Sequence, residues 1–202
     1  MLKNKFQTLC QNFTKDTNLI NTLWQEIKKQ YSEPTRHYHT LKHLESIYKV
    51  LPKLDIVTEF AIFYHDIVYD AIHNDNEEKS ALFCEKQLTL LGVDNELVQE
   101  TIQLILETKR HEASSQRNAL FLDADLAILG SNKIIYQSYT KNLRKEYAIY
   151  NDAIYNEGRN KVLMHFLEKE RIYVSTYFYE KYEQKARRNL ESAFLSLSKE
   201  IN

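Results

Sequence analysis

Apolar residues recur along this chain at intervals of three and four, the spacing of one face of a helix. Leu19, Ile20, Leu23, Trp24 and Ile27 predict a helix over residues 16–30, with Asp16 or Thr17 able to cap its start. Residues 32–35, Pro34 among them, break it. Leu41, Leu44, Ile47, Tyr48 and Leu51 predict a second helix that stops near Pro52. The third, over 54–68, is apolar around most of its circumference, which implies a central place in a bundle. A polar loop over 70–78 leads into a helix over 76–91, with Gly92 as its C-cap. Asp94 starts a helix holding Leu97, Val98, Ile102, Ile105 and Leu106. After a polar loop over 111–117, an apolar segment over 119–129 runs to Gly130. Helices over 133–155, 158–168 and 176–198 complete the chain, the last with Phe178, Tyr182, Ala186, Leu190, Ala193 and Leu197 in one stripe. The pattern predicts eight or nine helices, with no internal repeat, low-complexity tract or linker.

Composition agrees with the pattern. Only three glycines and two prolines interrupt 202 residues, whereas sheets joined by tight turns usually need more of both. The good helix formers Glu, Lys, Leu, Ala and Gln are plentiful. The expected class is all-α, one helical domain over 1–202, since a 43% hydrophobic chain of this length supports one sizeable core. A net charge of −1, spread over both signs, argues against a general nucleic-acid binder, which needs a basic face. Lys181, Lys185, Arg187 and Arg188 read as the solvated face of an amphipathic helix. Cys10 and Cys84 have no metal-knuckle spacing and suggest no disulfide framework. No apolar run approaches the length of a membrane span, about 18 residues. The first residues lack the apolar stretch and cleavage site of a signal peptide. A reducing, cytoplasmic setting without membrane contact is the expectation.

Against this background, the polar residues inside apolar stretches carry the chemistry. His65 and Asp66 sit within Phe60, Ala61, Ile62, Phe63, Tyr64 on one side and Ile67, Val68, Tyr69 on the other. A buried imidazole beside a buried carboxylate is costly unless hydrogen-bond donors or a cation compensate. A divalent cation would use both, since neutral imidazole and ionised carboxylate are good ligands. His39 and His43 are four apart and project from one face if the helix has begun by His39. Asp123 and Asp125 stand in another apolar run, where two carboxylates need cations or donors. Each set has an ordinary structural alternative, in hydrogen bonds or caps. One metal centre where the three segments converge would compensate all of them together.

The order His43, His65-Asp66, Asp125 resembles the HD superfamily of metal-dependent phosphohydrolases, and most closely its bacterial branch of predicted metal-dependent HD phosphohydrolases. The matching segments are 36–43 (Arg-His-Tyr-His-Thr-Leu-Lys-His), 64–70 (Tyr-His-Asp-Ile-Val-Tyr-Asp), 75–78 (Asp-Asn-Glu-Glu), 121–130 (Phe-Leu-Asp-Ala-Asp-Leu-Ala-Ile-Leu-Gly) and Gly158-Arg159. The resemblance implies an HD-type bundle in which His43, His65, Asp66 and Asp125 bind one divalent ion (Mn, Mg, Co, Ni, Fe or Zn), Asp123 being the alternative fourth ligand. It implies hydrolysis of a phosphate ester, of a nucleotide or another small phosphorylated metabolite, by metal-activated water. His39 stands where the distantly related cyclic-nucleotide phosphodiesterases carry a general-acid histidine. Arg36 would neutralise phosphate charge, and Asp70 would orient the attacking water or simply cap the following helix. Arg159 would bind phosphate or brace a core carboxylate.

Two other readings stay open. An HD-type di-iron oxygenase would recruit Glu78 or His111 as a further ligand, although Glu77 and Glu78 also read as helix-start acids favoured by the helix dipole. A non-catalytic nucleotide-binding protein would keep the fold and bind without turnover. His37, His73 and His165 read as surface or packing residues.

Overall fold

The computed structural model describes residues 1–201, with side chains described for 1–197. It is all-helical, with no strand among the described residues. Ten helices follow one another: α1 (Leu2–Cys10), α2 (Thr17–Gln30), α3 (Leu41–Val50), α4 (Ile56–Tyr64), α5 (Asn76–Leu90), α6 (Asn95–Glu107), α7 (Gln116–Asp125), α8 (Lys133–Glu146), α9 (Asp152–Glu168) and α10 (Thr176–Ile201). A short 3₁₀ turn, Leu126–Gly130, continues α7. No helix among the described residues is long and apolar enough to cross a membrane. The chain divides into two compact units, Met1–Leu122 and Asp123–Asn202, and the division falls inside α7.

The first unit is organised around α4. Seven of its nine residues are buried, and it packs against α1, α3, α5 and α6. Phe63 anchors the centre: its ring meets Phe6 of α1 at 5.0 Å edge-on, Tyr48 of α3 at 5.8 Å and Trp24 of α2 at 6.5 Å. Edge-to-face packing of this kind suits the aromatic quadrupole and adds to the burial of apolar area. Caps set the helix starts. Asp16 accepts from the N–H groups of Asn18 and Leu19, and Asp55 from that of Thr58. Helix α5 ends in a Schellman motif, in which Val93 N–H reaches Leu88 C=O and Gly92 N–H reaches Thr89 C=O. Gly92 supplies the positive φ of 73° that this motif requires, as expected from the sequence.

In the second unit, α10 packs against α9 and the 3₁₀ turn, and α8 also meets that turn. A Cβ at Gly130 would lie 2.6 Å from Tyr182 Cβ and 2.7 Å from its carbonyl oxygen, so only glycine permits α10 this close. Two acids fix the segment entering α10. Asp123 accepts from Val174 N–H, Ser175 N–H and Ser175 Oγ, while Glu183 accepts from the N–H groups of Ile172 and Tyr173.

Three boundaries differ from the sequence expectation, each for a visible reason. Helix α1 is an additional helix, with Leu2, Phe6, Leu9 and Cys10 on its buried face. The helix expected over 133–155 ends at Glu146. Arg144 gathers the carbonyls of Tyr147 and Tyr150 and the carboxylate of Asp152 into a turn, and Asn151 caps α9. Gly158 therefore lies inside α9 rather than at its start. Helix α4 stops at Tyr64, so the His-Asp pair stands in the turn beyond it.

Candidate metal centre

The turn after α4 is held from two sides. Arg36, with its side chain fully buried, donates through Nη1 to Asp66 C=O at 2.6 Å and through Nη2 to Ile67 C=O at 2.8 Å. Its Nε reaches Glu33 at 3.2 Å. Ser80 of α5 takes the N–H of Val68 and returns its hydroxyl proton to the carbonyl of the same residue. These bonds capture main-chain groups that would otherwise have continued α4, and the chain turns sharply at residues 65–68. The guanidinium predicted to meet phosphate is thus a clamp on the ligand-bearing turn.

His65 is 1% exposed, and its Nδ1 faces the carbonyls of Ala61 and Ile62, each at 3.2 Å. Those oxygens only accept, so Nδ1 is the donor there, and in the neutral ring Nε2 then presents a lone pair. A ligating histidine is commonly oriented in this way. His43, 3% exposed, lies in the first turn of α3, which Thr40 caps. Its Nε2 is 3.1 Å from His65 Nε2 and 3.5 Å from Asp66 Oδ2, and His65 Nε2 is 3.1 Å from the same oxygen. Asp125 closes α7. It joins His43, His65 and Asp66 in a group whose four ligand atoms lie within 4.8 Å of one another.

These distances fit a cation. Ligands bound at about 2.0–2.2 Å to one ion stand about 3.0 Å apart at right angles and about 3.4 Å apart at tetrahedral angles. A single proton could join two of the four atoms. An ion could join them all, and both carboxylates are half-buried. The group could hold a metal ion, and its donors, two imidazoles and two carboxylates, suit a first-row divalent metal.

His39 precedes the cap of α3, so it does not share a helix face with His43 as the spacing suggested. Its ring nevertheless stacks on Tyr69 at 4.0 Å and lies 5.6 Å from the His43 ring, and its Nε2 is 4.0 Å from Asp66 Oδ2. Glu77, at the start of α5, is half-buried. Burial pushes its carboxyl up and the Asp66 charge adds to this, against its own backbone hydrogen bond and Lys109.

Other candidates have different surroundings. Asp70 is exposed and accepts from Ile72 N–H at 2.9 Å, in a loop where His73 lies 3.7 Å from its carboxylate. Glu78 is bridged by Lys109. Asp123 is 2% exposed and engaged by three donors, so it fills the structural role and Asp125 the ligand-like one. Burial pushes the Asp123 carboxyl up, against the Ser175 and Val174 donors. Arg159, on α9, lies among Tyr136, Tyr139 and Tyr155. Sequence reasoning missed Ser80 and the stacking of Tyr69 on His39. A lone serine in a helix carries no signal for the former, and fourteen tyrosines hide the latter.

No protein-family model, curated protein or solved structure matches the chain.

Proposed function

We propose that the protein is a divalent-metal-dependent phosphohydrolase that cleaves a phosphate ester of a nucleotide or small phosphorylated metabolite. The observation that carries this reading is the convergence of His43, His65 and Asp66 at the separations of ligands around one ion, with a carboxylate oxygen of Asp125 within 4.8 Å of them. The order of these residues along the chain, which resembles the HD superfamily, supports the reaction class. A bound divalent ion supplies Lewis acidity toward phosphoryl oxygen and makes hydroxide available near neutral pH.

The residues around the group have separable tasks. Arg36 and Ser80 hold the turn that aims Asp66 and His65, so the donors are fixed before any ligand arrives. His39, stacked on Tyr69 beside Asp66, holds a proton for the leaving oxygen. The buried ring of Phe121, 5.6 Å edge-on to His65, excludes water behind that donor.

The deciding experiment offers nucleotides and phosphomonoesters to the protein with manganese, cobalt, magnesium or nickel supplied separately. Metal-dependent phosphate release that disappears in Asp66→Ala is the expected result. Silence across the panel, with metal demonstrably bound, overturns the proposal.

A further inference from the structure

A cavity of about 910 Å³ opens among α8, α9 and α10, and every residue lining it belongs to the unit Asp123–Asn202. Its charge is one-sided. Lys133, Lys141, Arg144, Lys145, Arg159 and Arg188 line it, and Asp152 is the only acid among the described lining residues. That acid is already occupied, because Arg144 grips one of its oxygens through Nη2 at 2.7 Å and Nε at 3.1 Å. Among the described lining residues, no other carboxylate balances the remaining cations.

Arg159 is the informative member. It is half-buried, and among the described residues no carboxylate oxygen lies within 4.0 Å of it. Its recorded contacts are aromatic: Nη2 lies 3.4 Å from the Tyr139 hydroxyl, and the guanidinium carbon stands 5.6 Å from the centre of that ring. A guanidinium withdrawn from water without an acid is costly unless an anion meets it. Its planar fork matches phosphate with two parallel hydrogen bonds. Tyr136, almost fully buried, and Tyr155 line the same cavity and add apolar surface that an organic body could cover. The volume falls within the usual range of small-molecule sites, about 300–1,000 Å³.

We propose that this cavity is a binding site for a small organic phosphate of nucleotide size, with Arg159 anchoring a phosphate group and Lys141 and Arg188 offsetting further charge. None of the four metal-ligand candidates lines the cavity, so binding there requires no metal.

The test is calorimetric titration of the full chain in EDTA with ADP, pyrophosphate, adenosine and citrate. ADP and pyrophosphate are expected to bind, ADP more tightly, with affinity falling as salt rises. Adenosine and citrate are expected to bind far more weakly. Arg159→Gln should weaken ADP binding at least about tenfold, the scale of losing a charge-assisted hydrogen bond. Arg159→Lys should fall between the two. If Arg159→Gln fails to fold, Lys141→Glu tests the same field from the cavity edge and should also weaken ADP at least about tenfold. Absence of binding by both phosphates at millimolar concentration overturns the proposal. So does adenosine or citrate binding as tightly as ADP, or affinity indifferent to the substitutions. Because the measurement involves neither metal nor turnover, its failure is distinguishable from failure of the phosphohydrolase reading.

Discussion

Asp66 and Asp123 are both acids set among apolar neighbours, and opposite chemistry surrounds them. Asp123 meets two N–H groups and a hydroxyl, all donors, so the protein itself hydrogen-bonds both of its oxygens. Asp66 faces the Nε2 atoms of His43 and His65 at 3.5 and 3.1 Å, at least one of which presents a lone pair. An acid ringed by donors completes a fold. An acid gathered with other lone pairs leaves negative charge that a cation could offset. The contrast extends to a third carboxylate, Glu107, which accepts from Ser114, Gln103 and Asn118 and ties the loop after α6 to α7.

The comparison is broken most directly at the donors. Asp66→Ala and His65→Ala should each abolish retention of divalent metal, measured by elemental analysis after gel filtration, and abolish phosphate release with it. Metal retained at wild-type stoichiometry in both variants would refute the assignment. His39→Ala should keep the metal yet lower kcat by about 10²- to 10⁴-fold, the usual scale of general-acid loss. An unchanged kcat removes His39 from the chemistry.

Asp123 and Asp125, two residues apart, sharpen the contrast. Asp123→Ala should cost about 2–4 kcal/mol in denaturant unfolding, since it leaves buried N–H groups without an acceptor. Asp125→Ala should weaken metal binding while changing the metal-free stability by less than about 1 kcal/mol. Exchanged phenotypes would reverse the roles assigned here.

The smallest effect concerns Glu107. Burial alone would raise its pKa, but hydrogen bonds from Ser114, Gln103 and Asn118 outweigh it and hold the carboxyl below the usual glutamate range. A depressed pKa means stability fully present above the unfolded value and lost as pH falls through the folded one. Glu107→Gln should therefore cost about 1 kcal/mol at neutral pH. It should also flatten the decline in stability at pH below about 4.3, the ordinary glutamate value. An acid limb as steep as in the wild type would show that Glu107 does not contribute this linkage.

Much of this architecture was legible residue by residue. Leu23, Trp24 and Ile27 announced α2, Gly92 announced the end of α5, and the apolar run through Phe60 and Phe63 announced the central helix. These features depend on neighbours three or four positions away, which the sequence displays directly. The residue types of the candidate group were also visible, because His65 and Asp66 interrupt an apolar run. Where α4 stops was not visible, because its end is set by Arg36, thirty positions upstream of Asp66, and by Ser80 on another helix. Nor could the pattern distinguish Asp123 from Asp125, since both belong to the same short run.

The amino-acid order by itself determined an all-helical chain and the kinds of side chain available for chemistry, since helical periodicity and residue type are local properties. Tertiary structure decided which of two neighbouring aspartates meets main-chain donors and that Arg36 holds a turn. It also decided that Arg159 lines a cavity where the one acid among the described lining residues already pairs with Arg144. Those outcomes depend on distances between segments remote along the chain, and packing fixes those distances while spacing does not.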